Sequence, residues 1–337
     1  MRRLRCGLAA LLTAGVTLLT ASAHAETNEI RISAGFGIDF LPLIVMQHDH
    51  LVEKQAKAAG LDHLKVVWRT VDGGNNINDA MLAGSLDVAS IGVPGFALFW
   101  SKTLNTPQQI GGIAAICTMA AWLNTSNPAV KSLKDFGSTD RIAVPGVKTS
   151  ANAIILEMAA AKEFGSDNYT KLDPLTVSMP YPEAVQAMLT GSTGIDSNFA
   201  SPPFAYMETA NPKIHTVTTS DDILGGPATL IMAYTTKKFH DANPKTYAVF
   251  LAALDEAEKE INADKHRAAE IYAESAKVKV NKMLVEKVID DPHNIFTTTP
   301  QNVMRYVNFM HKVHLIQHDP KNWKEMFFSE LHNEKGS

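Results

Sequence analysis

Cysteine is almost missing: the 337 residues hold two, Cys6 and Cys117. Cys6 falls in an N-terminal stretch read below as a leader. One remaining thiol cannot close an internal disulfide, so stability has to come from packed cores. Cys117 lies in an apolar run, residues 113–119, where a buried inert thiol is expected. An excess of basic charge is missing too, since 31 Lys and Arg stand against 35 Asp and Glu, a formal charge of −4. Without a basic cluster there is no electrostatic footprint for nucleic acid. Low-complexity tracts are absent, and beyond the first 25 residues no apolar run approaches a membrane span. The familiar catalytic signatures are not found either. There is no Gly-x-Ser-x-Gly elbow, no GxxxxGK[ST] phosphate loop and no GxGxxG after a strand. His311, His314 and His318 have the spacing at which one helix face presents metal ligands, but no acid joins them at ligand spacing. Neither a metal nor another cofactor is expected.

What is present begins with an address. Arg2, Arg3 and Arg5 form a basic region, residues 8–19 an apolar one, and Ala23-His24-Ala25 a small-x-small cleavage site. Residues 1–25 are therefore expected to be a signal peptide, and the mature chain to start at Glu26, exported to the periplasm and soluble. Removing the leader takes away three arginines and no acid, which moves the formal charge from −4 to −7.

The body of the chain repeats itself. Residues 80–96, AMLAGSLDVASIGVPGF, read as a helix end, a tight turn, a short buried strand and a Gly/Pro loop. Gly84 suits the left-handed conformation that closes a helix. Residues 187–204, AMLTGSTGIDSNFASPPF, run through helix, Gly-Ser turn, Asp-containing strand and Pro loop in the same order. Upstream of each copy, Arg31-Ile32-Ser33-Ala34-Gly35-Phe36-Gly37 parallels Arg141-Ile142-Ala143-Val144-Pro145-Gly146-Val147, a strand entering a Gly loop. The offsets are about 110 residues between the arginines and about 107 between Ala80 and Ala187. Two ordered matches at nearly one offset point to duplication.

Strands and helices alternate with short Gly-rich loops between them, the pattern of parallel strands in a doubly wound sheet. In the first half, strands are expected at 30–34, 64–71, 86–91 and 111–122. Helices are expected at 41–58, from Asn75 or Asn76 to 82, and at 96–100. Residues 124–128 form a crossing. The second half has strands at 141–144, 175–179, 195–200 and 214–218, and helices at 151–164, 182–189 and 203–210. A loop at 221–227 leads to a strand at 229–235 that returns to the first half. Helices at 245–263 and 301–316 follow, opened by Asn243-Pro244 and Thr299-Pro300. The expected architecture is α/β: two doubly wound lobes with a ligand cleft between them and extra C-terminal helices. Lobe I takes 26–123 and 228–337, and lobe II is the inserted segment 124–227.

Ligands of such sheets collect at the carboxyl ends of the strands, beside helix starts. Thr149 and Ser150, with the free N–H groups of the helix they open, make an anion site or simply a cap, and Lys148 adds a charge beside them. The matching loop of the first half offers Phe36 as an aromatic wall, close backbone approach at Gly37, and Asp39 as a cap or a ligand. Asn75 stands at the next helix start. Val93 and Pro94 end one repeat strand, Asn198 and Ser201 the other, so they are expected to face each other. Trp100 and Trp122 are expected in cores.

These segments together, above all GGNNINDAMLAGSLDVASIGVPG and VPGVKTSANAIIL, resemble the nitrate/sulfonate/taurine-type periplasmic substrate-binding proteins of ABC importers. The resemblance covers nearly all of the mature chain. It implies a type II periplasmic binding protein fold, and a monomer with no enzymatic role. It implies a small, usually anionic ligand closed between the lobes and delivered to an ABC permease in the inner membrane. Two departures stand out. Relatives carry Lys-Gly-Ser-Ser or Gly-Ser-Thr-type loops where this chain reads Val147-Lys148-Thr149-Ser150. Where relatives read Asp-Ala-x-x-x-Trp-Asp/Glu-Pro, the Trp is replaced by Ser201 and the acid by Pro202. An acid there would pair with a ligand amine, so its absence argues against taurine. Sulfonate, nitrate, bicarbonate, an aromatic acid and a pyrimidine stay open as ligands. Alternatives are an enzyme of the same fold acting on a pyrimidine or chorismate-derived compound, or a binding protein serving a TRAP-type permease or chemoreceptor. The leader argues against the enzyme, as does the lack of the cysteine cluster that a pyrimidine-forming relative would need.

Overall fold

The computed structural model describes residues 26–35, 37–71, 74–191, 193–275 and 280–337, leaving out the side chains of 74 and 75. The leader, Phe36 and the Asn75 side chain lie outside the described residues. Ten strands follow one another as β1 (Glu29–Ala34), β2 (Lys65–Thr70), β3 (Val88–Gly92), β4 (Ile110–Thr118), β5 (Trp122–Thr125), β6 (Ile142–Val144), β7 (Thr176–Ser178), β8 (Ser197–Ala200), β9 (His215–Thr219) and β10 (Thr229–Thr236). They form two five-stranded sheets, ordered β2-β1-β3-β10-β4 and β7-β6-β8-β5-β9. Each sheet has three parallel strands followed by an antiparallel one. Parallel strands throughout were expected. The antiparallel strand in each sheet is the one that has just arrived from the other sheet: β5 comes directly after β4, and β10 follows β9. It enters the sheet at the carboxyl-end side of the parallel strands, so its direction is reversed. The expected strand at 111–122 is consequently two strands in different sheets, parted at residues 119–121.

The repeat is visible as a shared clamp at the amino ends of the strands. The Arg31 N–H donates to Asp87 Oδ2 at 2.8 Å, and the Asp87 N–H returns a bond to the Arg31 carbonyl at 2.9 Å. In the second sheet the Arg141 N–H donates to Asp196 Oδ2 at 3.2 Å, and the Asp196 N–H to the Arg141 carbonyl at 3.3 Å. The arginine side chains have diverged. Arg31 Nε and Nη2 both reach Asp87 at 2.7 Å. Arg141 Nη1 instead donates to the carbonyls of Ser138 and Asp140 at 3.0 and 2.7 Å. The two Gly-Ser turns also coincide in form, with Gly84 at φ +68° and Gly191 at +66°. A side chain would meet open space at either glycine, so the requirement for glycine is set by the backbone alone.

Around the sheets lie α1 (Leu41–His48), α2 (Leu51–Ala58), α3 (Gly74–Leu82), α4 (Val93–Thr103), α5 (Ala151–Phe164), α6 (Tyr181–Thr190), α7 (Phe204–Thr209), α8 (Ser220–Leu224), α9 (Lys237–Ala242), α10 (Pro244–Ala263), α11 (Lys265–Ser275), α12 (Lys282–Asp290) and α13 (Val303–Lys312). The expected single helix at 41–58 is broken because His50 takes φ +53°. The stretch 221–227 is not all loop. Thr219 and Asp222 form a reciprocal capping box that opens α8, a T-x-x-D signal that was passed over. Helices α10 and α11 pack on α1, while α12 reaches α7 and α13 reaches both α4 and α5. The C-terminal helices thus touch elements beside both sheets. The segment near Ile295 bonds to β4 through Thr118, covering an open sheet edge.

The clamp gives a stability test. Asp87→Ala removes an acceptor shared by a backbone N–H and a guanidinium, and is expected to cost about 3 kcal/mol in urea unfolding. Asp196→Ala, which strands only the backbone bond and the neighbouring hydroxyl, is expected to cost roughly half as much. Equal losses would show that the Arg31 side chain adds nothing.

Candidate ligand-binding cleft

A cavity of about 580 Å³ lies between the sheets. Its wall collects the carboxyl ends of the parallel strands: Ser33 and Ala34 of β1, Ser90 to Gly92 of β3, Pro145 after β6, Ser178 of β7 and Ser201 after β8. Strand β10 runs the other way and contributes its amino end, Leu230 and Ile231. Helix starts arrive at the same place, because a chain leaving the carboxyl end of a parallel strand turns directly into its helix. Gly95 sits in the first turn of α4, Thr149 to Asn152 surround the start of α5, and Pro180 to Glu183 that of α6. The two halves meet here. A Cβ on Gly92 would stand 2.7 Å from the Ala151 Cβ, so glycine is what lets α5 close on the end of β3.

The second half supplies hydroxyls and amides. Tyr181 donates to Asn152 Oδ1 at 3.0 Å and shares a hydrogen bond with Ser201 Oγ at 2.9 Å. Its ring stacks on Phe204 at 5.3 Å. Asn152 Nδ2 in turn donates to the Phe199 carbonyl at 2.8 Å, which holds the amide's oxygen toward Tyr181. Burial, and then the charge of Asp39, hold the Tyr181 hydroxyl far above its ordinary value, so it is a neutral donor. Ser150 Oγ accepts from the Ala153 N–H at 3.2 Å and caps α5. At α6 the corresponding position is Pro180, which makes no side-chain cap. Pro182 has no N–H and the Glu183 N–H bonds the Pro180 carbonyl at 3.1 Å, so the Tyr181 N–H is the one left uncapped.

The first half supplies apolar groups and one acid. Phe40, Val71, Ile77 and Ile91 form much of its wall. Asp39 is 3% exposed, and among the described residues its Oδ1 has no hydrogen-bond partner. Burial pushes this carboxyl up to about 7, with only its own backbone amide acting the other way. Ser90 Oγ is also buried without a partner, while Ser33 Oγ accepts the Ser90 N–H at 3.2 Å. Among the described residues of the wall there is no lysine, arginine or histidine, and the carboxyls are those of Asp39 and the exposed Glu183.

Of the residues singled out from the sequence, Gly37, Asp39, Thr149, Ser150 and Ser201 line this cavity. Val93 and Pro94 do not, because the helix begins at Val93 and turns both side chains into the core, leaving Gly92 and Gly95 at the wall. Lys148 is turned away. Its residue has φ +60°, its side chain is 66% exposed, and its Nζ lies 3.8 Å from Asp173 Oδ2. Asn198 is buried within the second half and donates to Glu208 Oε1 at 2.5 Å, with Asn124 donating to the other carboxyl oxygen. Burial raises Glu208 to about 7. Trp122 packs on Tyr206 at 4.4 Å, and Trp100 is buried beside His318. Cys117 is buried, which raises its thiol well above the ordinary value. The histidine spacing is not realised on a helix, since α13 ends at Lys312 and His314 takes φ +62°. Among the described residues no cluster suited to a metal is found.

Tyr181 and Asn152 were missed by sequence reasoning. A signal for Tyr181 was available: α6 starts 107 residues after α3, the offset of the repeat, so Tyr181 is the counterpart of the helix start at which Asn75 was chosen.

A model of the NMT1-like family matches residues 23–276. No curated protein matches the sequence. Among solved structures, the alkanesulfonate-binding protein SsuA of Xanthomonas axonopodis pv. citri, bound to MOPS, is similar over 88% of this chain and 96% of its own, with 15% identity and a TM-score of 0.68. The periplasmic aliphatic sulphonate-binding protein SsuA of Escherichia coli is 15% identical over 91% of this chain and 99% of its own, with a TM-score of 0.67. The periplasmic nitrate-binding protein NrtA of Synechocystis PCC 6803 is 13% identical over 91% and 88%, with a TM-score of 0.71. At these identities the likeness establishes a periplasmic binding protein fold, two lobes around a cleft.

The hydroxyl network gives a stability prediction. Tyr181→Phe leaves Asn152 Oδ1 without its donor and Ser201 Oγ without its hydrogen-bond partner, and is expected to cost about 1–2 kcal/mol in urea unfolding. Ser150→Ala is expected to cost about 1 kcal/mol through the lost cap. Lys148→Ala, on an exposed pair, is expected to stay within about 0.5 kcal/mol of the parent.

Proposed function

Because the chain belongs to the NMT1-like family, we propose that it is an extracytoplasmic solute-binding protein that captures a small organic oxyanion between its two halves and delivers it to an ABC permease. The observation that carries this reading is the cavity of about 580 Å³, walled by both sheets at strand carboxyl ends and helix starts. That size belongs to a small organic ligand. Nitrate or bicarbonate would leave most of it to water, so an organic anion fits better than an inorganic one. With no cation among the described residues of the wall, the anionic group would be held by the hydroxyls of Thr149 and Ser150 and by N–H groups at the starts of α5 and α6, where the helix dipole favours negative charge. The apolar wall of Phe40, Val71, Ile77 and Ile91 would take the carbon skeleton.

The chain passes between the sheets at residues 119–121 and 225–228, two short crossings about which the halves can hinge. In the second, Gly225 and Gly226 have φ +79° and +138°. The solved neighbours named as sulfonate- and nitrate-binding proteins support the ligand class by analogy. The periplasmic address rests on the leader read in residues 1–25, and the monomeric state on the resemblance.

A thermal-shift panel of alkanesulfonates, arenesulfonates, aromatic carboxylates, nitrate, bicarbonate and pyrimidines tests the reading, since a ligand bound only by the folded state raises the melting temperature. An organic sulfonate or carboxylate is expected to raise it and nitrate is not. With that ligand, calorimetric titration of the Thr149→Ala, Ser150→Ala double variant is expected to give at least about tenfold weaker binding, from two lost hydrogen bonds to a charged group. Lys148→Ala is expected to change neither affinity nor its salt dependence. Unchanged affinity in the double variant would confine both hydroxyls to capping. A panel in which only pyrimidines bind would overturn the oxyanion.

A further inference from the structure

Asp39 is a buried carboxyl on the cavity wall, and among the described residues its Oδ1 has no hydrogen-bond partner. It sits in the turn that links β1 to α1, where Gly37 allows its side chain to fold back: a Cβ on Gly37 would lie 2.0 Å from Asp39 Oδ1. The described groups coupled to its charge are Tyr181 on α6, Tyr272 on α11 and Cys117 on β4. Each is held above its ordinary value by burial, so all three stay neutral across the physiological range and none neutralises Asp39. A fold that needed a polar group in this turn would be better served by an amide, because a buried charge without a partner is destabilising. On the same wall, Ser90 Oγ is a second buried polar atom without a partner among the described residues.

We propose that Asp39 and Ser90 form a nitrogen-recognition subsite, and that the ligand carries a cationic nitrogen, an amine or amidinium, which Asp39 pairs on closure. The proposal rests on the reading of the cleft as a binding site and deepens it. The anionic end of the ligand lies at the hydroxyls and helix starts of the second half, and the nitrogen end lies at the first half. The ligand class is then a small zwitterion. The missing acid at position 202, which argued against an amino-sulfonate, is supplied from the other side of the cleft. A carboxylate and a sulfonate- or carboxylate-binding helix start on opposite walls also orient the ligand, since reversing it would place like charges together.

The test uses the full chain and matched probes that differ by one nitrogen: 3-aminopropanesulfonate against propanesulfonate, 4-aminobutanoate against butanoate, and 4-(aminomethyl)benzoate against 4-methylbenzoate. In calorimetric titration the nitrogen-bearing member of a binding pair is expected to bind at least about tenfold tighter, and this gap to collapse in Asp39→Asn. Equal affinity within the pairs, or a gap that survives in Asp39→Asn, overturns the proposal while leaving the binding role intact. If neither member of any pair binds, the oxyanion reading is in difficulty and Asp39 is judged without ligand. The sign follows from burial: with its folded value raised from 3.8 to about 7, Asp39 takes up a proton on folding. Its destabilisation is therefore absent below about pH 4, grows as pH rises, and is complete above about pH 7. Ligand-free Asp39→Asn is expected to melt higher than the parent at pH 8, with the gain shrinking at pH 4. A variant that melts lower than the parent at both values would make Asp39 a structural part of its turn and overturn the proposal.

Discussion

Each sheet is completed by a strand that belongs, in sequence, to the chain's arrival from the other sheet, and the rest of the molecule depends on this exchange. Strand β10 lies between β3 and β4 with every residue but its last buried. Its Tyr234 packs against Phe96 and Phe99 at 5.9 and 6.1 Å and donates to Asn78 Oδ1 at 2.8 Å. A strand buried on both faces carries much of a sheet's apolar burial. Removing it would leave two edges where the structure has one continuous surface. Strand β5 does the same for the second sheet, with Asn124 inside the network that holds Glu208. Neither sheet is complete until the chain has crossed, so the carboxyl ends of both sets of strands are held facing one another, and the cavity is what remains between them.

The polarity of that cavity follows from the same geometry. Helix starts bring N–H groups and their dipoles, so an anion needs no lysine or arginine, and none is among the described residues of the wall. The sequence suggested a lysine, Lys148, next to the hydroxyl pair. Its left-handed backbone points it outward instead, toward Asp173. A cleft built from neutral donors also avoids the desolvation that a buried cation would suffer whenever the ligand was absent. Asp39 is the exception to that economy, a buried carboxyl whose Oδ1 has no hydrogen-bond partner among the described residues.

How much of this was legible depended on whether a feature was local. The repeat was legible because its marks are short-range: a glycine that must take positive φ at positions 84 and 191, and an Asp one residue before a buried strand. Helix α5 was read to its residue limits, 151–164, because Ser150 caps it and its apolar face is regular. The break at His50 was not legible, since nothing in Gln47-His48-Asp49-His50 departs from helical chemistry. The split at 119–121 was not legible either, because an unbroken apolar run does not show that its two ends enter different sheets. Among the site residues the same division holds. Thr149 and Ser150, chosen for their place at a helix start, lie on the cavity wall, whereas Asn198 does not, because β8 is four residues long and a one-residue error in facing sends a side chain to the opposite layer. Tyr181 was reachable only by carrying the repeat offset as far as α6.

Duplication also explains why the scaffold is symmetric while the cleft is not. The clamps at Asp87 and Asp196 lie at the amino ends of β3 and β8, on the side of each sheet away from the cavity. They fix the register of a sheet's first parallel pair without touching the ligand side. Among the described residues the carboxyl ends carry no carboxylate clamp of this kind and were free to differ. In the first half they became apolar with one acid, through Phe40, Val71, Ile77 and Asp39. In the second they became hydroxyl- and amide-rich, through Thr149, Asn152, Tyr181 and Ser201. Two copies of one surface would make a pocket with a pseudo-twofold axis, in which an unsymmetrical ligand could bind in two directions. Divergence confined to the carboxyl ends removes that degeneracy, and it does so at positions where a substitution leaves the sheet-forming hydrogen bonds untouched. The same separation lets a single fold present different ligand walls, because the interactions that stabilise the lobes and those that select the ligand lie at opposite ends of the same strands.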